Sequence, residues 1–321
     1  VRIAVLSPHN AHGLPGSLAG QLNRMDGMNA KSYTYLDSTY EYHSDVVLRN
    51  LAPGEFKLIL EEIVSADIIH VFDEPFQTQN FDLAKHLRPN NTIFSYTPAF
   101  FNKNHAEIFF RHYQGSIVAT SCPLTGALSN CPVPLVHMPP VLDFSNIPSR
   151  TPKNTAEPPV LAYVSQYGKR GHLDQILQVS FEIQQHLEMT FNWLENLNRN
   201  DYLREMANSS LFLDDLSFNG LSPLALEAMA VGLPVVANLS GLDFTLLPEA
   251  PVIPVTPKNL TQRLAEMLSD PALLAEIGDR SSVWVREHLD PQKAAFSWKA
   301  LYMHVLTLGA PIADNPYFPK I

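Results

Sequence analysis

Short apolar runs rich in β-branched residues alternate with longer stretches of helical periodicity along most of the chain. In the first half the runs fall at Ile3–Leu6, Asp67–Phe72, Thr92–Tyr96, Ser116–Thr120 and Leu135–Met138, with amphipathic stretches between them at Phe56–Ser65 and Ala106–Tyr113. This alternation predicts βαβ units around a parallel sheet. The polar, proline-rich stretch NIPSRTPKNTAEPP suits neither a helix nor an interior strand and puts a linker at 145–158. A second series follows. It has strands at Val160–Ser165, Met189–Trp193, Ser210–Asp214 and Pro234–Asn238, and helices from Leu173, at Asn200–Asn208, from Pro223, at Asn259–Leu268 and at Ala272–His288. Two α/β domains of similar size are expected, 1–144 and 159–289. Segment 290–321 stands apart: Ala294, Ala295, Trp298, Leu301, Tyr302 and Val305 share one face of a helix over Pro291–Leu308, and the tail beyond it is expected to be extended.

Composition narrows the function classes. A chain of 321 residues is long enough for two cores. The net charge of −10 argues against a nucleic-acid partner, whose phosphates it would repel, but leaves room for a local basic pocket. No apolar run is long enough for a transmembrane span; a peripheral membrane contact stays open. The start at Val1 shows no secretory signal, and Cys122 and Cys131 have neither metal-ligand spacing nor a disulfide framework, so a cytoplasmic location is expected.

One segment concentrates candidate chemistry. The strand SLFLD runs into the loop DLSFNGL; Ser222 is a good N-cap and Pro223 a good first-turn residue. The helix LALEAMA stops near Gly232, and the buried strand PVVAN follows. This order places a positive helix end at the carboxyl edge of a parallel sheet, where α/β folds bind phosphorylated ligands. Glu227 lies one turn into the helix and Asn219 eight residues before it, so both can face one crevice. The bland alternative is the stronger one at this point: strand, loop, helix and strand recur in every α/β protein, and Glu227 fits a solvated helix face.

NGLSPLALEAMAVGLPVVA resembles the donor-site signature of the GT-B-fold retaining glycosyltransferases, the large family often called GT4 (glycosyl transferases group 1). The resemblance implies two Rossmann-like α/β domains facing a central cleft, with a C-terminal helix crossing back onto the N-terminal domain. Glu227 sits at the family's second glutamate, which binds the ribose hydroxyls. Asn219 stands where the first glutamate contacts sugar hydroxyls, and loses that residue's charge. Gly220 matches the following glycine, and Leu221 and Ser222 replace the usual Phe-Gly. Val160–Ser165 followed by GKRGH resembles the strand and loop that bring cations to the diphosphate, which implies that role for Arg170 and Lys169. Gly13 and Gly16, after RIAVLSP, resemble the glycine-rich first loop, where backbone approaches diphosphate and sugar. IIHVFDEP and IFSYT resemble two further strand ends. Tyr96 or Thr97 replaces a histidine near the reaction centre there, with His9, His12 and His105 as other acceptor-side candidates. FSWKALYMHVL resembles the crossing helix, which makes Trp298 a packing anchor. The glycine pair that helps bind the base is missing between Gly171 and Asn200.

The expected function is transfer of a sugar, of hexosyl type, from a nucleoside-diphosphate donor to an acceptor hydroxyl, with retention. No metal and no other cofactor is expected, since no Asp-x-Asp motif occurs. The acceptor is an unidentified glycan, lipid or small molecule. The departures at Asn219 and in the loops favour one rival, a degenerate nucleotide-sugar-binding or partner subunit. A GT-B sugar-nucleotide epimerase is a second. A nicotinamide enzyme is disfavoured because residues 7–20 lack the Gly-x-Gly-x-x-Gly spacing.

Overall fold

A computed structural model of the chain describes residues 1–9, 12–37, 41–73, 75–77, 81–88, 90–96, 117–120, 135–151, 157–164, 173–195, 197–216, 220–240 and 250–308. The chain divides into two compact units, Val1–Asp143 with Pro291–Ile321, and Phe144–Asp290.

In the first unit the described strands are β1 (Arg2–His9), β2 (Asn29–Leu36), β3 (Val46–Val47), β4 (Ile68–Phe72), β5 (Thr92–Tyr96), β6 (Ile117–Thr120) and β7 (Leu135–His137). They form a parallel sheet in the order β3-β2-β1-β4-β5-β6-β7. Five consecutive residues of β1, Ile3 to Ser7, are buried, as in a strand covered on both faces. Helices α1 (Leu14–Leu22) and α2 (Pro53–Val64) are the described connectors. The stretch expected as a helix at Ala106–Tyr113 lies outside the described residues.

Strand β2 escaped the sequence reading. Its polar residues look like surface, yet Ser32 and Thr34 are buried. The Ser32 N–H and O–H both donate to Asp45 Oδ2, at 2.7 Å each, and the Ala30 N–H donates to Asn23 Oδ1 at 2.7 Å. Groups 7 and 13 residues away thus satisfy what the side-chain pattern presented as hydrophilic.

The second unit holds β8 (Val160–Tyr163), β9 (Thr190–Trp193), β10 (Leu211–Leu213), β11 (Val235–Ala237) and β12 (Ile253–Pro254) in the parallel order β12-β11-β10-β8-β9. Its helices are α3 (Leu173–Gln184), α4 (Arg199–Ala207), α5 (Pro223–Val231), α6 (Leu260–Leu268) and α7 (Pro271–His288). Every residue of α5 is buried, so the helix lies in the interior rather than on a surface. It ends at Gly232, whose φ of 89° is left-handed. There α7 comes so close that a Cβ on Gly278 would stand 2.2 Å from the Gly232 carbonyl oxygen. The stretch read as a linker is docked where it is described. The Arg150 N–H donates to the Val231 carbonyl at 2.9 Å, at the end of α5, and the Thr151 N–H donates to Ala207 at 3.0 Å, at the end of α4.

The last helix, α8 (Pro291–Leu308), belongs to the first unit. The face marked by its periodicity is the buried one: Ala294, Ala295, Trp298, Leu301, Tyr302 and Val305 are all interior. Trp298 Nε1 donates to the Pro139 carbonyl at 2.9 Å. Its ring lies 4.6 Å from that of His70 on β4, and Phe72 stacks on His70 at 4.5 Å. His70 is fully buried between two hydroxyls, Tyr302 Oη at 2.8 Å from Nδ1 and Ser95 Oγ at 2.6 Å from Nε2. Burial holds its pKa down at about 3, so a neutral ring joins α8 to two strands. Among the described residues no helix is long and apolar enough to cross a membrane.

Removing these anchors should show in equilibrium urea unfolding of the full chain. Trp298→Ala is expected to cost about 3–5 kcal/mol. Tyr302→Phe, which leaves a buried ring nitrogen without its hydroxyl, should cost about 1–3 kcal/mol. Losses under about 0.5 kcal/mol in both would mean that α8 is not an integral part of the unit.

Candidate functional site

Open parallel sheets bind ligands outside the carboxyl ends of their strands, at the point where the strand order reverses. In the second unit the order reverses between β8 and β10. The loop after β8 carries GKRGH and the loop after β10 carries DLSFNGLS, so both motif-bearing loops flank one switch point. In the first unit the reversal lies between β1 and β4. There the chain leaves β1 towards Gly13 and leaves β4 at Asp73, a buried residue with a φ of 61°.

The loop after β10 is organised by an aspartate. Asp214 is buried and accepts three hydrogen bonds: Oδ1 from the Ser222 O–H at 2.6 Å and the Asp215 N–H at 2.9 Å, and Oδ2 from the Ser222 N–H at 3.0 Å. Ser222 Oγ in turn accepts the Ala225 N–H at 3.0 Å, so the expected N-cap is present. Asn238 Nδ2, past β11, donates to the Leu216 carbonyl at 3.0 Å and ties the loop to the next strand. Desolvation pushes the Asp214 carboxyl up to about 7 against the pull of the Ser222 and Asp215 donors, with Asp215 adding a smaller repulsion. The sequence argument offered the start of α5 as an open anion site. In the structure the Ser222 and Ala225 N–H groups are engaged within the chain, and Pro223 has none, so these positions add no donor for an anion.

Glu227, one turn into α5, is 2% exposed, which rules out the solvated-face alternative. Arg199 Nε and Nη2 both donate to its Oε1 at 3.1 Å, and the fully buried Tyr202 hydroxyl donates to Oε2 at 3.2 Å. Arg199 opens α4 beside the N-cap Asn198, whose Oδ1 accepts the Asp201 N–H at 3.0 Å. Arg199 and Tyr202, three residues apart, share the face of α4 turned to α5. Neither was singled out from the sequence. A usable signal was there: a lone acid inside the apolar run LALEAMAV needs a buried cation, and Arg199 lies in the preceding helix.

Gly220, Leu221 and Ser222, which lead into α5, are buried. In the first unit, Gly13 has a φ of 66° and a Cβ on it would meet the Tyr42 ring at 2.5 Å; a Cβ on Gly16 would meet the His43 carbonyl oxygen at 2.2 Å. The close approach that these glycines permit in the structure is to the chain's own residues 42 and 43. His12 is buried and its pKa is lowered to about 4 by desolvation, whereas His9 is exposed at the end of β1. Tyr96 closes β5. Lys169, Arg170, Asn219, Thr97 and His105 lie outside the described residues. Among the described residues, no three or more His, Cys, Asp and Glu side chains gather where a metal ion could be held.

No protein-family model and no curated protein sequence matches the chain. Solved structures do. Sucrose-phosphate synthase from Thermosynechococcus elongatus aligns over 95% of this chain and 98% of its own, at 15% identity and a TM-score of 0.63. HepE from Anabaena, in complex with UDP-glucose, aligns over 93% and 99%, at 15% identity and a TM-score of 0.60. WaaG, a glycosyltransferase involved in lipopolysaccharide biosynthesis, aligns over 96% and 100%, at 13% identity and a TM-score of 0.55. At such identities the likeness is one of fold, and the fold is GT-B: two Rossmann-like units, each built on a parallel sheet.

Asp214 makes the stability of the second unit depend on pH. Its native carboxyl holds a proton more tightly than an unfolded one, whose pKa is 3.8, so its contribution is full below about 4 and is lost as pH rises to about 7. The thermal midpoint should fall across that window, after subtraction of the other titrations by comparison with Asp214→Asn, in which this component is absent. Identical pH profiles for the two proteins would show that Asp214 ionises freely.

Proposed function

We propose that the chain is a glycosyltransferase of hexosyl type. It moves a sugar from a nucleoside-diphosphate donor to an acceptor hydroxyl with retained configuration and without a metal ion. The observation that carries this reading is Glu227. It is an ionisable side chain inside a wholly buried helix, within LEAMAVGLPVVA, beside the switch point of a GT-B unit. A buried charge with several partners, on the helix that follows a switch-point loop, favours a site over plain core packing. UDP-glucose is bound in the solved structure of the similarly folded HepE, which supports a nucleotide sugar as the donor here.

In this mechanism Glu227 accepts from the ribose hydroxyls and fixes the nucleotide. The departing diphosphate gains negative charge as the glycosidic bond breaks, and cations must meet it. The described start of α5 offers an aspartate there, so the task falls to Arg170 and Lys169 in the loop after β8. Asn219 faces the sugar as a neutral donor and acceptor in place of a carboxylate. The acceptor hydroxyl oxygen then attacks the anomeric carbon on the face the leaving group vacates, which gives retention, and its proton passes to the departing diphosphate oxygen.

A second reading, a nucleotide-sugar-binding subunit without turnover, draws on Asp214. A carboxylate at the start of α5 weakens the pull of that helix on a phosphate. Incubation with UDP-, GDP- and ADP-sugars separates the readings. Hydrolysis or transfer supports the transferase, binding without turnover supports the subunit, and conversion of the donor alone to another sugar nucleotide indicates an epimerase.

Two variants test the residues. Glu227→Gln keeps the volume and should weaken nucleoside-diphosphate binding by roughly tenfold or more in calorimetry; unchanged affinity removes Glu227 from the site. Arg170→Ala should lower kcat by about 10²-fold with a much smaller change in donor affinity. Equal losses in both would count against leaving-group stabilisation.

A further inference from the structure

We infer that Arg199 and Tyr202 are positioning residues for ribose recognition: they fix the plane and the charge of the Glu227 carboxylate. The inference rests on the nucleotide-donor reading and goes beyond it, because neither residue falls within the motif that suggested that reading.

The geometry is that of a clamp. The terminal torsion of a glutamate side chain is broad, so a carboxylate held at one point can turn. Here it is held at both oxygens. The planar guanidinium puts two N–H groups on Oε1, each at 3.1 Å, and the Tyr202 hydroxyl reaches Oε2 at 3.2 Å. Arg199 and Tyr202 lie three residues apart on α4, and Glu227 lies on α5, so the three are set by the packing of two helices rather than by a loop.

The alternative is that the guanidinium is a lid that the ribose displaces. It keeps 14% side-chain exposure against 3% for Glu227, so it stands on the solvent side. Magnitudes decide against displacement. Stripping one partner from a buried ion pair shifts an equilibrium by roughly 10²- to 10⁴-fold, whereas a neutral hydroxyl bonded to a charged group returns roughly 10- to 100-fold. Arg199 therefore stays on Glu227 while nucleotide binds. It acts through Glu227, which must be ionised and correctly turned to accept from a diol.

Ribose discrimination reads this role directly. The probes are UDP, GDP and ADP with their 2′-deoxy and 3′-deoxy counterparts, measured by calorimetry on the full chain, with thermal midpoints recorded in parallel. Wild type should bind its preferred ribonucleotide about tenfold more tightly than at least one deoxy counterpart. Arg199→Lys, which keeps charge and loses the fork, and Tyr202→Phe, which removes one hydroxyl, should bring that ratio below about threefold while the deoxy affinity is retained. The proposal is overturned if the variants keep the wild-type ratio, or lose affinity for both nucleotides equally, as a purely structural role predicts. It is also overturned if wild type binds nucleotide without discriminating the ribose. Absence of any nucleotide binding by wild type would instead sink the donor reading itself. Should Arg199→Lys fail to fold, Tyr202→Phe decides alone, since it leaves the ion pair in place.

Discussion

A carboxylate inside a helix that is buried along its whole length has no water to turn to. Glu227 is in that position in α5, and the burial of its charge constrains much of the second unit. A cation has to reach it, so Arg199 must lie at the first position of α4, and α4 must begin where Asn198 caps it. Tyr202 must come one turn later, on the same face. The other side of the helix is fixed by contact rather than charge: Gly232 and Gly278 let α5 and α7 approach to a distance that a methyl group would forbid. The Arg150 N–H also engages the Val231 carbonyl at the end of α5. A helix held on two sides in this way is a rigid support for whatever its acid recognises.

The parallel sheets were legible because a strand covered on both faces writes a continuous apolar run. β1 and β10 do so, and β4 does with one interruption at His70. Helix α8 was legible down to single residues, since its six interior positions follow the helical period, although Phe296, Met303 and Leu306 are apolar and exposed on the same helix. β2 was not legible, because its buried Ser32 is satisfied by Asp45, a partner that no local pattern announces. β12, at two residues, is too short to carry a pattern. In the candidate site, motif and helix caps were readable and Arg199 was not. An arginine beside an N-cap asparagine reads as a solvated helix start until the acid opposite it is in place.

The glycines teach a related limit. A glycine with a positive φ, or with backbone against its Cα, shows that something comes close; it does not show what. At Gly13 and Gly16 the neighbours are Tyr42 and the His43 carbonyl, in a segment with no apolar pattern of its own. The start of α5 repeats the point. Sequence locates an end rich in donors, but Asp214, eight residues before Ser222, takes the Ser222 N–H.

Asp214 and Glu227 are two buried carboxylates in one strand–loop–helix, and they are stabilised in opposite ways. Glu227 has a guanidinium, so the pair is neutral as a unit. The bonds to Asp214 come from N–H and O–H donors, which cannot offset its desolvation, and it approaches neutrality by holding its proton up to about 7. The carboxyl beside the helix end therefore carries a charge that varies with pH. A diphosphate drawn to this edge of the sheet, as the proposed reaction requires, would meet a helix end whose Ser222 and Ala225 N–H groups are already engaged. In the proposed reaction the compensation of its charge falls to Lys169 and Arg170, the adjacent basic residues that follow β8 in the sequence. The acid at the start of α5 thus shifts the electrostatic demand of the proposed reaction onto that loop, and makes its two cations more important than the motif alone implies.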